Sequence, residues 1–324
     1  MSPSQASRTR KALRWTLPFA ITVAALAYVF HSIDFARVLA RLTPTALWVM
    51  VPSILAFGAL ALVIEAECLV RLLPADRHVF GRTTAARIKA ASYPLSLLHY
   101  ALGAGGLAVL LGRRTGRTVA DAAGVVGLIT LFDVGIQLVL LVAGLTYLGT
   151  DAPAVRGGIV VTLIVAILCG FVGLRAKFSL GPIDRLRELS VFDAARTTPL
   201  PLLLQIGALR VLFAFCFIGL IWGCCIAFGI YAPLSFLVAA VPILIVVAMI
   251  PSVAGLGTGQ VAFVQVFSRY ADDETLLACS LAFSTGLIVM RAGMGLVFAG
   301  EFTREALIAA REAEASEGTG ESIA

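Results

Sequence analysis

The stretch Ile250-Pro251-Ser252-Val253-Ala254-Gly255-Leu256-Gly257-Thr258-Gly259-Gln260 interrupts an apolar run that extends from 233 to 270. Those 38 residues are nearly twice the ~20 that one helix needs to cross the hydrocarbon core. A proline followed by three alternating glycines does not continue a regular helix, because the ring removes a backbone donor and glycine costs conformational entropy. The stretch therefore predicts two short helices joined by a turn, entering and leaving the membrane on one side. Irregular backbone at that depth survives only where protein or a water-filled cavity satisfies its polar groups, so a helical bundle must surround it.

The rest of the chain has matching character. Of its 324 residues 60% are hydrophobic and 14% charged, with a mean hydropathy of +0.97, whereas a soluble domain carries about 25% charged residues. A water-soluble enzyme is excluded. Seven further apolar segments flank the broken one, at 15–33, 46–70, 90–111, 120–148, 157–175, 199–229 and 276–300. Arg8, Arg10, Lys11 and Arg14 precede the first of them, which is too long for the ~7–15-residue core of a signal peptide and lacks a small-residue cleavage pattern. It is read as a retained span.

Basic residues set the orientation, since cytoplasmic loops hold the excess of Lys and Arg. If all eight segments crossed, Arg113, Arg114 and Arg117 would lie outside. The conflict disappears if 90–111 is also re-entrant, from the cytoplasmic side, turning at Gly103-Ala104-Gly105-Gly106, and 233–270 is its external counterpart. Then 19 of the 25 Lys and Arg are cytoplasmic, Arg37, Arg41, Arg156 and Arg269 are external, and Arg210 and Arg291 lie within spans. The expected architecture is an all-α integral membrane protein with six transmembrane helices, two re-entrant broken-helix elements and both termini cytoplasmic in a bacterial inner membrane. Residues 1–14 form a basic N-terminus, 15–300 one transmembrane domain, and 301–324, rich in Glu, Ala, Ser and Gly, a flexible tail. Halves 15–156 and 157–300 repeat the order span, span, re-entrant, span, with Pro94 and Pro251 in corresponding places and the second half inverted. Inverted repeats with broken segments point to a transporter's central site. The polar segment 181–196 between two spans suits an interfacial helix.

Ionisable residues at membrane depth are costly and so mark candidate sites. Asp133 falls in the middle of its span, Arg210 about 16 Å into its own, Arg291 near the middle of the last, and Glu65 in the cytoplasmic half of the second. Two acids and two bases balance, so interhelical ion pairing is one reading. The other is a polar cavity in which Arg210 and Arg291 hold a lipid phosphate, helped by Asp133 and Glu65, because guanidinium binds phosphate bidentately and keeps its proton. Glu65 and Glu67 differ by about 200° on a helix and are no acid–base pair; Glu67 and Arg71 are spaced for an intrahelical ion pair. His99, in the first broken element, suits either a proton relay or a backbone hydrogen bond. Gly255, Gly257 and Gly259, ahead of the helix that begins near Gln260, make either an anion seat at a helix N-terminus or a packing turn.

Other chemistry is lacking. The glycine loop has no GK[ST] ending and follows no strand, so nucleotide binding is excluded. Cys68, Cys169, Cys216, Cys224, Cys225 and Cys279 lie in or beside apolar stretches without CxxC spacing, which predicts buried thiols and neither disulfides nor a metal site. No Ser-His-Asp, Cys-His or HExxH constellation occurs. No cofactor and no catalytic activity are expected. The basic segments do not gather on one face of a folded module, so anionic inner-leaflet lipids, rather than nucleic acid, are the expected partners.

The run 250–260, followed by an apolar helix and a last span with Arg291, resembles the signature of the lysylphosphatidylglycerol synthase transmembrane, or flippase-like, family. So does Lys89-Ala90-Ala91-Ser92-Tyr93-Pro94, continuing to Leu111-Gly112-Arg113-Arg114-Thr115-Gly116 and an apolar span with Asp133. The resemblance implies a membrane bundle that translocates lipids or lipid-linked sugars, working beside enzymes of lipid biosynthesis. Where the family's usual residue after the glycine loop is glutamate, this chain has Gln260, which neither titrates nor carries charge. The soluble aminoacyl-transfer domain of the best-known members is expected to be absent. Translocation of an amphiphilic lipid between leaflets is the function expected. A membrane-embedded transferase using Glu65 or Asp133 as base, or a scaffold for a lipid biosynthesis complex, are the alternatives.

Overall fold

The computed structural model describes residues 40–73, 80–98, 100–147, 192–248, 258–298 and 300. The described residues form helices and turns and contain no strand. In chain order the helices are α1 (Pro44–Leu72), α2 (Arg82–Leu98), α3 (Tyr100–Thr115), α4 (Val119–Tyr147), α5 (Asp193–Thr197), α6 (Leu200–Ala227), α7 (Leu234–Ala248), α8 (Thr258–Phe267) and α9 (Asp273–Val297). Four of them, α1, α4, α6 and α9, are long and apolar enough to cross a membrane. The expected spans at 15–33 and 157–175, and all but the last residues of the expected interfacial helix, lie outside the described residues.

Local chemistry explains where these helices start and stop. The Thr43 hydroxyl accepts from the Ala46 amide at 3.2 Å, with Pro44 in the first turn of α1. Thr118 caps α4 through the Asp121 amide at 3.1 Å, and Asp272 caps α9 through the Thr275 amide at 3.0 Å. Such caps satisfy amides that have no partner inside the helix. At the other ends α3 and α6 close alike. Gly116 (φ 66°) and Gly229 (φ 73°) take the left-handed conformation, and the next amide reaches back five residues, Arg117 to Gly112 at 3.0 Å and Ile230 to Cys225 at 2.8 Å. This is the Schellman closure, which needs glycine at the left-handed position.

The chain forms two compact units. One comprises Met1–Leu60, Phe132–Gly173 and Arg210–Met290; the other comprises Ala61–Leu131, Leu174–Leu209 and Arg291–Ala324. Each draws on both halves of the sequence, and each of the four long helices contributes a segment to both.

Aromatic rings build much of the core of the first unit. Phe57 of α1 meets Phe213 and Phe217 of α6 with centroids 5.8 and 5.5 Å apart, and Phe217 meets Phe283 of α9 edge-on at 6.0 Å. Phe236, near the start of α7, packs edge-on against Phe267, the last residue of α8, at 5.3 Å. The pair α7 and α8 therefore runs antiparallel. Gly144 of α4 lies directly on Ala239 of α7, leaving no room for a β-carbon, while a β-carbon at Gly286 of α9 would meet only the tip of the Ile54 side chain of α1.

In the second unit α2 and α3 pack on each other. The turn expected at Gly103-Ala104-Gly105-Gly106 is instead helical: α3 runs through all four residues, and α2 ends at Leu98. The small side chains serve packing, at least at Gly103, where a β-carbon would overlap Ser96 of α2. Glycine at a helix contact permits close backbone approach without any turn. Gly105 is exposed, with nothing near its missing β-carbon, and Gly106 is half-buried. Gly295 of α9 lies on the Pro94 ring of α2, and a β-carbon there would sit 3.4 Å from the Ala90 carbonyl oxygen. Buried Leu69, Phe80, Ile88 and Leu111 fill this unit's interior.

Apolar side chains stay exposed along the long helices, among them Trp48, Val63, Leu204 and Val289. A lipid-facing surface accounts for them, since water-soluble monomers seldom expose large contiguous apolar patches.

Candidate functional site

Two polar clusters stand among these apolar helices. The first, in the first unit, joins α4 to α6. Asp133, halfway along α4, receives the Arg210 guanidinium in a bidentate pair, Nε to Oδ1 at 2.5 Å and Nη2 to Oδ2 at 2.6 Å. The Arg210 side chain is 1% exposed and that of Asp133 33%. Phe213, one turn along α6, lies under the guanidinium with its ring centroid 4.1 Å away, and Phe57 packs on Phe213 in turn. A fork of donors against a carboxylate, backed by an aromatic face, is the arrangement in which arginine tolerates burial best. One turn beyond Asp133, the amide oxygen of Gln137 is buried without a hydrogen bond. Its position beside the ion pair had no marker in the apolar run of α4.

The second cluster, in the second unit, joins α1 to α2. The Lys89 ammonium lies 3.0 Å from Glu65 Oε2 and 5.9 Å from the Tyr93 ring centroid, while the Tyr93 hydroxyl donates to Glu65 Oε2 at 3.5 Å. Glu65 is 15% and Lys89 21% exposed in their side chains. In the sequence Lys89 stands among the cytoplasmic cations and, with Tyr93, in the family-like run 89–94, without a site role for either; their spacing of four stacks them on one face of a helix. Glu67 faces elsewhere, as the 200° offset requires, and takes Arg71 at 2.7 Å and Arg82 at 2.6 Å. Arg71 also reaches Gln205 Oε1 of α6 at 2.6 Å. This network closes the ends of three helices.

Arg291 belongs to the second unit, half-buried in α9 one turn before Gly295. It makes no hydrogen bond, ion pair or ring contact among the described residues. Gln260, in the first turn of α8, is fully buried and donates from Nε2 to Ser284 Oγ of α9 at 3.2 Å. Gly259 has open space where a β-carbon would go, so nothing described presses on it. Pro251, Gly255, Gly257 and His99 lie outside the described residues. Of the four charged residues singled out from the sequence, Asp133 and Arg210 are partners and Glu65 has Lys89. Cys68, Cys216, Cys224, Cys225 and Cys279 are unbridged thiols, all buried except the half-buried Cys216.

What this arrangement can do chemically is hold charge inside an apolar medium. Each cluster by itself pairs a cation, which suits an anionic group, with a carboxylate, which suits a cationic one. No curated protein and no solved structure matches the chain. The family model for the lysylphosphatidylglycerol synthase TM region matches residues 15–290. Matched over most of its length, and with four helices long and apolar enough to cross a membrane, this chain belongs to the lysylphosphatidylglycerol synthase transmembrane-region family.

Proposed function

We propose that the protein carries an amphiphilic lipid with a charged headgroup between the leaflets of a bacterial inner membrane. The observation that carries this reading is the Asp133–Arg210 pair halfway along a spanning helix. Charges at that depth are retained where a bundle interior or a hydrated path needs them. In this reading the chain crosses six times, both termini are cytoplasmic, and α2/α3 and α7/α8 are the re-entrant elements of two inverted halves. Each half of the described chain repeats one order: long helix, helix pair, long helix. Basic residues divide accordingly. The second unit holds Arg71, Arg82, Arg87, Lys89, Arg113, Arg114, Arg117, Arg196 and Arg291 among its described residues, the first only Arg41, Arg210 and Arg269. That bias suits a cytoplasmic rim of Arg82, Arg113 and Arg117 against anionic inner-leaflet lipids.

Arg291 is a cation that the moving headgroup phosphate meets on its path, since its guanidinium has no described partner to displace. Arg210, closed against Asp133, holds the polar interior in shape and meets the headgroup only if that pair opens. The protein is a carrier and not an enzyme, with no cofactor, and serves enzymes that make or consume its lipid.

The test is reconstitution. Proteoliposomes carrying a fluorescent phospholipid are expected to expose the inner-leaflet probe to a membrane-impermeant quencher faster than protein-free vesicles, and Arg291→Met is expected to lose most of the excess. Rates equal to those of protein-free vesicles for the wild-type protein would overturn the reading.

A further inference from the structure

The Glu65–Lys89–Tyr93 cluster keeps some exposure where the arginine of the Asp133–Arg210 pair is sealed. At Asp133 two guanidinium donors meet two carboxylate oxygens, and the arginine is sealed. At Lys89 a group with three donors has one acceptor among the described residues, Glu65 Oε2. The Tyr93 ring covers part of the ammonium without accepting a hydrogen bond in its plane, and both charged side chains keep some exposure. The ammonium has donor capacity to spare. It sits on α2, the least apolar of the long and medium helices.

We infer that Glu65, Lys89 and Tyr93 form a headgroup site selective for a zwitterionic phospholipid, one that carries a phosphate and an ammonium, over a purely anionic one. This rests on the lipid reading above and names the class of lipid. A purely anionic headgroup that approaches Lys89 also approaches the Glu65 carboxylate 3.0 Å away, and like charges at such separations repel strongly in a medium of low dielectric. A purely cationic group meets the converse problem at Lys89. A zwitterion meets neither: its phosphate takes the spare ammonium donors, its own ammonium takes Glu65, and the four charges alternate in sign with no net charge brought into the membrane. The Tyr93 hydroxyl, within reach of Glu65, is placed to follow the carboxylate or donate to a phosphate oxygen.

The experiment measures binding, not movement. Full-length protein in detergent is titrated with short-chain phosphatidylethanolamine and short-chain phosphatidylglycerol, with occupancy read by native mass spectrometry. The wild-type protein is expected to favour the ethanolamine lipid. Glu65→Gln should weaken ethanolamine-lipid binding about tenfold, the scale of one charge-assisted hydrogen bond, without weakening glycerol-lipid binding. Lys89→Met should weaken both. Since either change leaves a charge uncompensated, Glu65→Gln/Lys89→Met removes both charges together and is expected to fold with its headgroup preference abolished. Glycerophosphoethanolamine, the same headgroup without acyl chains, is added as competitor and should compete poorly.

Preference for the glycerol lipid in the wild type, unchanged preference in the folded double variant, or equal loss of both lipids in Glu65→Gln would each overturn the inference. Competition by the chain-free headgroup as strong as that by the lipid would overturn it as a lipid site. Because no transport is read, a headgroup preference that survives in a protein unable to move lipid sinks the translocation reading and leaves this site standing.

Discussion

The Arg210 guanidinium lies along the Asp133 carboxylate with both contacts at 2.5–2.6 Å, although 77 positions separate the two residues in the chain. Removing one charge of a buried pair is costly because the other remains without compensation, about 3–5 kcal/mol in soluble proteins. Partial exposure of Asp133 makes the lower end of that range the expectation here. Arg210→Met should therefore lower thermal stability in detergent, and Asp133→Asn in the same chain should restore more than half the loss. A full double-mutant cycle with additive effects would show that the two residues are not coupled.

Gly144 and Gly135 lie on the same helix and should answer oppositely to a methyl group. At Gly144 a β-carbon overlaps Ala239 of α7, while at Gly135 it meets nothing within 4 Å. Gly144→Ala is expected to destabilise by about 1–3 kcal/mol through overpacking. Gly135→Ala should be neutral or stabilising by up to about 1 kcal/mol, the helix-propensity difference. Thermal unfolding of the two purified variants, side by side, checks this contrast.

Asp272 gives the stability a pH dependence. Burial alone would push its carboxyl up, but hydrogen bonds from the Thr275 hydroxyl and amide, with Arg41 3.5 Å away, outweigh burial and hold it below its ordinary value of 3.8. A depressed carboxyl stabilises the fold above its unfolded value and loses that contribution as pH falls through the folded one. Asp272→Ala should cost about 0.5–2 kcal/mol at pH 7, as loss of a helix cap does. The gap from wild type should hold down to about pH 4 and close below it. A gap constant down to pH 3 would assign the effect to the cap's shape alone.

Orientation is open to labelling. Single cysteines replacing Arg82 and Arg117, in a background without the native cysteines, should react only when an impermeant thiol reagent enters the cell. One replacing Asp273 should react from outside. Reaction of the Arg117 position from outside would mean that α2 and α3 together cross the membrane once and are not re-entrant.

Hydropathy and spacing alone determined much of this protein. The four long helices fall within three residues of the apolar segments at 46–70, 120–148, 199–229 and 276–300, because the need for about 20 apolar residues is a property of one contiguous stretch. The opposite facing of Glu65 and Glu67, and the Glu67–Arg71 pair, followed from helix geometry within two turns. The break in the first helix pair was legible, but its place was not: glycines signal conformational freedom and close packing with the same letter. Contact with Ser96 across the pair decided for packing at Gly103.

Partner choice belonged to the tertiary structure. Asp133, Arg210, Glu65 and Arg291 stood out by the cost of a charge in an apolar run, yet nothing in those runs specifies which acid meets which base. That depends on the depth and rotation of one helix against another, which glycine contacts such as Gly144 on Ala239 and the Phe57, Phe213 and Phe217 cluster help set. Lys89 looked like a loop cation because it stands among others in sequence. Folding put it on the face of α2 turned to Glu65, where a lysine's long stem carries charge into a place that local hydropathy had no means to mark.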